Sequence, residues 1–156
     1  MSSRILMTGN DAVGKGAVDA GCDCYFGYPI TPQNELTAYM SLHMPMNDRV
    51  FIQAESEIAV VNCALGASFT GSKTMVGTSG GGYDLMTEGL SLQGQSEIPL
   101  VVYLCSRPGP GTGVPTYTQQ SDLDIALRGG HGEFPRVVIA PGDPIECVEK
   151  TNNVFT

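Results

Sequence analysis

Val50-Phe-Ile-Gln-Ala-Glu-Ser-Glu-Ile-Ala-Val-Val-Asn-Cys-Ala-Leu-Gly66 reads as a strand, a short acidic loop and an apolar helix in direct succession. Val50 to Gln53 is a short strand-like run. Ile58, Ala59, Val60, Val61, Cys63, Ala64 and Leu65 follow as a helix apolar nearly all round, which predicts burial. The first turn of such a helix is dry, and a carboxylate there is costly without a partner. Glu55 and Glu57 both lie in that turn. The helix macrodipole gives both acids an ordinary explanation. The alternative is a half-buried carboxylate that exchanges a proton with a bound heterocycle.

The same unit recurs along the chain. Ile5 to Thr8, Cys22 to Phe26, Thr74 to Thr78, Pro99 to Leu104 and Arg136 to Ala140 are further strand-like runs, with helical patterns between them. Strand, loop and helix in alternation predict an α/β fold: a doubly wound, mostly parallel open sheet of about six strands with helices on both faces. Ligands of such sheets bind outside the carboxyl ends of the strands. The loops Gly27–Pro32, Ala54–Glu57, Ser79–Gly82 and Ser106–Pro115 all follow strands, so they should gather on one edge. Asp143-Pro144 opens a last helix that stops abruptly at Thr156. Residues 1–156 therefore read as a single domain, the N-terminal part of a longer polypeptide.

Composition narrows the function. The chain has 156 residues, 42% hydrophobic and 15% charged, with 20 Gly and 10 Pro, which suits a compact, loop-rich domain whose surface partners cover. Its net charge of -8 argues against nucleic acid. No apolar run is long enough to span a membrane, and Met1 to Asp11 lacks a signal-peptide core, so the expected location is the cytoplasm. Cys22, Cys24, Cys63, Cys105 and Cys147 form no C-x-x-C pair and read as reduced thiols. The two histidines, His43 and His131, have no metal-ligand spacing, and no metal site is expected on this chain. His131 reads as a loop residue, near the site at most.

Gly9-Asn-Asp-Ala-Val-Gly14-Lys15-Gly16 comes within one residue of a phosphate-binding P-loop. Gly16 stands where the hydroxyl for Mg²⁺ is needed, which argues against nucleotide binding. Ser79-Gly80-Gly81-Gly82 lets backbone approach something flat or charged, or simply makes a tight turn. Arg107, flanked by Pro and Gly, suits a clamp for a carboxylate or phosphate, with an ordinary surface arginine as the alternative.

Five motifs stand in order: Tyr28-Pro-Ile-Thr-Pro32, Gln53-Ala-Glu-Ser-Glu57, Thr78-Ser-Gly-Gly-Gly82, Arg107-Pro-Gly-Pro-Gly-Thr-Gly113 and Gly130-His-Gly-Glu-Phe-Pro135. Together they resemble the α subunit of 2-oxoacid:ferredoxin oxidoreductases, over nearly the whole chain. The resemblance implies a thiamine-diphosphate-binding type of fold, specifically the domain that receives the aminopyrimidine ring. It implies CoA-dependent oxidative decarboxylation of a 2-oxoacid, with electrons passed to ferredoxin.

The resemblance also implies roles. The family's activating Glu precedes a helix Gly by nine positions, which from Gly66 lands on Glu57 as the catalytic residue; Glu55 stands second to it. Thr31 and Arg107 match the groups that hold the substrate carboxylate. Tyr28, Pro29, Ile30, Gly80 and Gly81 match the cofactor-binding segments. Gly111 departs from the family's usual Ser. A carboxyl group in a dry site can share a proton with the ring nitrogen. The Mg²⁺ and diphosphate motif is missing, since Gly142-Asp143 is followed by Pro144. The family places that site on a β subunit, and iron–sulfur clusters on partner subunits, γ or δ among them. The rival readings are a non-catalytic structural or regulatory subunit and, less well supported, a P-loop protein.

Overall fold

The computed structural model describes residues 5–156. Four parallel strands form its sheet: β1 (Cys24–Gly27), β2 (Val50–Gln53), β3 (Thr74–Thr78) and β4 (Val101–Leu104), in the order β2-β1-β3-β4. Helices α1 (Gly9–Asp19), α2 (Asn34–Met46), α3 (Glu57–Phe69), α4 (Gly80–Gln95), α5 (Leu123–Arg128) and α6 (Pro144–Asn153) complete the chain. The architecture is the expected doubly wound α/β sheet.

Side chains alternate across the sheet, as the pleat requires. Cys24, Phe26 and Val76 face α3 and α4, meeting Val60, Val61, Ala64, Leu65, Met86 and Leu90. Tyr25 and Met75 face the other way, toward Val13 and Ala17 of α1 and Leu36, Met40 and Met44 of α2. Central strands β1 and β3 are buried throughout, as strands covered by helices on both faces must be. Strand order reverses between β1 and β3, so the crevice beyond Gly27 and Thr78 is the topological switch point.

Two expected strands are unpaired. Ile5 and Leu6 are exposed, and Thr8 is taken up as the N-cap of α1, its hydroxyl accepting from Asp11 N. Arg136 donates to the carbonyls of Ala126 and Gly129 and lies 4.2 Å from the Phe134 ring. That anchoring leaves Val137, Val138 and Ile139 exposed outside any ladder. The sheet therefore has four strands among the described residues instead of about six. The stretch read for a leader begins in residues 1–4, outside the described residues.

α3 is apolar on most sides, as expected, but it is buried on one face only. Val60, Val61, Ala64 and Leu65 are buried, whereas Ile58, Asn62, Cys63 and Phe69 are exposed. Asp143 caps α6 as expected, its carboxylate accepting from Ile145 N and Glu146 N. No helix of the described residues is long and apolar enough to cross a membrane.

Candidate active site

The site is built on the first turn of α4. Gly80, Gly81 and Gly82 follow β3 after the N-cap Ser79, and Gly80 has φ +39°, a conformation that favours glycine. Missing side chains here leave room for two others. The Arg107 guanidinium covers Gly80, where a Cβ would stand 2.5 Å from Nε, and it reaches Gly81, where a Cβ would be 3.8 Å from Nη2. On the next residue, a Cβ at Gly82 would stand 2.5 Å from Oε1 of Glu57 and collide with the Thr78 hydroxyl. Glu57 and Arg107 thus converge on one glycine turn from opposite sides of the sequence.

Both are buried, at 4% exposure each. Glu57 opens α3, whose N-cap Ser56 accepts from Ala59 N. Its position at the positive end of that helix dipole lowers the cost of a buried carboxylate. Arg107 is held by its backbone, which donates to Oδ2 of buried Asp122 at 2.8 Å. Its Nη1 donates to the Thr31 carbonyl at 3.1 Å, while Nε has no partner. A buried guanidinium with an unsatisfied donor is prepared for an anion. The Thr78 hydroxyl, also fully buried, is likewise unpartnered. Orphaned polar atoms and a bare glycine turn fit a polar, flat or anionic ligand.

The Tyr28–Pro32 loop is fixed from below and beside. Gln33, fully buried, donates from Nε2 to the Tyr28 carbonyl (3.3 Å) and to the Thr37 hydroxyl (2.9 Å). Tyr25 joins that network, its hydroxyl 3.3 Å from Gln33 Oε1, and burial pushes its phenol upward, so it stays protonated. Asn10 at the head of α1 donates to the Pro32 carbonyl at 2.8 Å and accepts from the Tyr103 hydroxyl at 2.7 Å. Burial raises the Tyr103 phenol too, which keeps it a donor.

Each candidate from the sequence has a place. Thr31, Gly80, Gly81, Arg107 and Glu57 meet at the switch point. Thr31 meets Arg107 through its carbonyl, whereas its hydroxyl accepts from Asn34 Nδ2 at 3.4 Å. Tyr28 and Pro29 lie at the exposed rim, and Ile30 is half-buried. Glu55 is exposed, in contrast to Glu57. His131 is elsewhere: its backbone donates to Ser91, eleven residues along α4 from Gly80, or roughly 16 Å at ~1.5 Å per residue. Sequence reasoning passes over Asn10, Gln33, Thr78, Gly82 and Asp122. Only Gly82 carries a signal, as the third glycine of its run.

The near-P-loop is not a loop. Gly14, Lys15 and Gly16 lie inside α1. A Cβ at Gly14 would strike the Tyr39 ring, and one at Gly16 would stand 2.7 Å from the Val148 carbonyl of α6. Those glycines serve helix packing, and Lys15 pairs with Asp19 at 2.7 Å.

The chain is similar over nearly its whole length to known proteins. The family model described as "Pyruvate flavodoxin/ferredoxin oxidoreductase, thiamine diP-bdg" matches residues 15–156. The 2-oxoglutarate synthase subunit KorA of Archaeoglobus fulgidus is 44% identical over 150 residues, covering 96% of this chain and 43% of that protein. The ketoisovalerate oxidoreductase subunit VorB of Methanothermobacter thermautotrophicus is 42% identical, with the same coverage. A solved structure, 2-oxoglutarate:ferredoxin oxidoreductase from Magnetococcus marinus with 2-oxoglutarate, coenzyme A and succinyl-CoA bound, superposes with TM-score 0.94. It is 44% identical and covers 97% of this chain and 26% of that chain. The chain thus spans less than half the length of these relatives.

Proposed function

Because this chain belongs to the thiamine-diphosphate-binding family of the pyruvate flavodoxin/ferredoxin oxidoreductases, we propose that it is the pyrimidine-binding part of a 2-oxoacid:ferredoxin oxidoreductase α subunit. In this reading residues 1–156 are the N-terminal domain of a longer subunit. The complex converts a 2-oxoacid and coenzyme A to acyl-CoA and carbon dioxide, and passes two electrons to ferredoxin. It works in the cytoplasm with a β subunit carrying the diphosphate and Mg²⁺ site and further subunits carrying iron–sulfur clusters.

One observation carries the proposal. A buried carboxylate and a buried guanidinium share a single glycine turn at the switch point of the sheet. Bound thiamine diphosphate supplies the electron sink for decarboxylation. Glu57 would hydrogen-bond the ring nitrogen N1′ from its buried position at the head of α3. Gly80 and Gly81, lacking side chains, let the Arg107 guanidinium lie beside the cofactor, and Tyr28, Pro29 and Ile30 line the approach. Arg107 neutralises the substrate carboxylate with the donors that Thr31 leaves free, and the Thr31 hydroxyl donates to the same group. Burial of Arg107 strengthens that pairing by excluding water. Glu55, on the exposed side of the loop, takes no proton in this scheme.

The decisive experiment uses the reconstituted complex. Glu57→Gln should retain cofactor affinity yet slow proton exchange at C2 of the bound cofactor by on the order of 10²–10⁴-fold. Full exchange in that variant would overturn the assignment and revive the structural-subunit reading. Loss in Glu55→Gln instead would shift the catalytic role by two residues.

A further inference from the structure

Thr78 ends β3 at the switch point, and its hydroxyl is fully buried without a hydrogen-bond partner. An unsatisfied buried hydroxyl is destabilising, and valine would fill nearly the same volume without that cost. The hydroxyl nevertheless borders the same space as a polar group. A Cβ built on Gly82 would collide with Thr78 Oγ1 and stand 2.5 Å from Glu57 Oε1 and 3.1 Å from its carboxyl carbon. Both oxygens therefore border the same small space over a glycine that has nothing to put there. A bond between them requires a side-chain rotation, since the hydroxyl is unpartnered as it stands.

We propose that Thr78 is a positioning residue for Glu57, its hydroxyl donating to Oε1 across the bare Cα of Gly82. The bond leaves Oε2 free to face the ring nitrogen and fixes the carboxylate's orientation about χ3, a torsion otherwise broad and soft. Gly82 is the second half of the device, because any side chain there separates the two oxygens. The inference rests on the role given to Glu57 above, but it assigns a group that role does not require.

The test again uses the whole complex. Thr78→Val should slow C2 proton exchange roughly 10- to 100-fold, as expected for losing a hydrogen bond to a charged group. Thr78→Ser, which keeps the hydroxyl, should stay within about threefold of wild type by the same reasoning. Cofactor affinity and the cofactor-free Tm of Thr78→Val should match or exceed wild type, an outcome a purely structural loss would not produce. Thr78→Ala repeats the deletion should valine fold poorly, and it should be as slow as valine. Wild-type exchange in both hydroxyl-free variants, with Glu57→Gln dead, overturns the Thr78 role alone. Wild-type exchange in Glu57→Gln as well overturns the reading on which it rests.

Discussion

The guanidinium of Arg107 lies against the Cα of Gly80, so that a Cβ there would stand 2.5 Å from Nε and 3.2 Å from Cζ. Two residues that are far apart in the chain are thereby made interdependent. Gly80→Ala places a methyl group where the arginine sits and adds about 1–2 kcal/mol of backbone strain at φ +39°. The expected result is a raised KM for the 2-oxoacid together with a lowered Tm. Steady-state kinetics and thermal unfolding of the complex check both.

Removing either carboxylate-binding group should weaken substrate binding, in a definite order. Arg107→Met deletes a buried charge and its pairing, a loss of roughly 2–5 kcal/mol. Thr31→Val deletes one hydroxyl, about 1.5–3 kcal/mol if it donates to a charged group. The Thr31 carbonyl, which accepts from Arg107, survives that change. KM values should therefore rise more for Arg107→Met. Wild-type kinetics in that variant would place the arginine outside the substrate pocket.

The α1 glycines predict a stability effect and a binding result. Gly16→Ala gains about 1 kcal/mol of helix propensity. It also drives a methyl group to 2.7 Å from the Val148 carbonyl and 2.9 Å from Thr151 Cβ. Backbone cannot give way as a side chain can, and overpacking of this kind costs about 1–3 kcal/mol. Net destabilisation is expected, read as a lower Tm. ATP with Mg²⁺ should leave the wild-type Tm unchanged, since no phosphate cradle exists in a continuous helix.

Burial pushes the Cys22 thiol from an ordinary 9.0 up to about 12. A folded-state value above the unfolded one favours folding at low pH. That contribution is complete below pH 9 and is lost progressively as pH rises toward about 12. Denaturant unfolding at about pH 8 and about pH 10.5 should show a pH-dependent loss of stability that is smaller in Cys22→Ala. Alkylation of the native protein at the lower pH should modify exposed Cys63 and spare Cys22.

Much of this site is legible in the chain's local patterns. The strand-loop-helix rhythm of Val50–Gly66 and Thr74–Gln95 implies a parallel sheet with its loops on one edge. The nearly continuous apolar character of α3 points to a dry first turn. Family spacing favours Glu57 over Glu55, and the contrast in burial between the two matches that choice. The last expected strand does not form, because Arg136 is engaged by the carbonyls of Ala126 and Gly129 instead of a ladder partner. No local pattern in Arg136–Ala140 distinguishes those alternatives.

Sequence by itself determined the layered α/β architecture, the acidic head of α3 and the glycine run after β3, because these depend on periodicity and local chain stiffness. Tertiary structure decided what each glycine is for. Gly14 and Gly16 admit Tyr39 and α6, whereas Gly80 and Gly82 admit Arg107 and Glu57. A missing side chain looks the same in every sequence context, and only the neighbour that fills its space reveals whether it serves packing or chemistry. Thr78 and Asp122 become visible for the same reason. Strand order brings Glu57, at the head of α3, beside the end of β3 where Thr78 stands, and the loop between β4 and α5 folds back to set Asp122 against the Arg107 backbone.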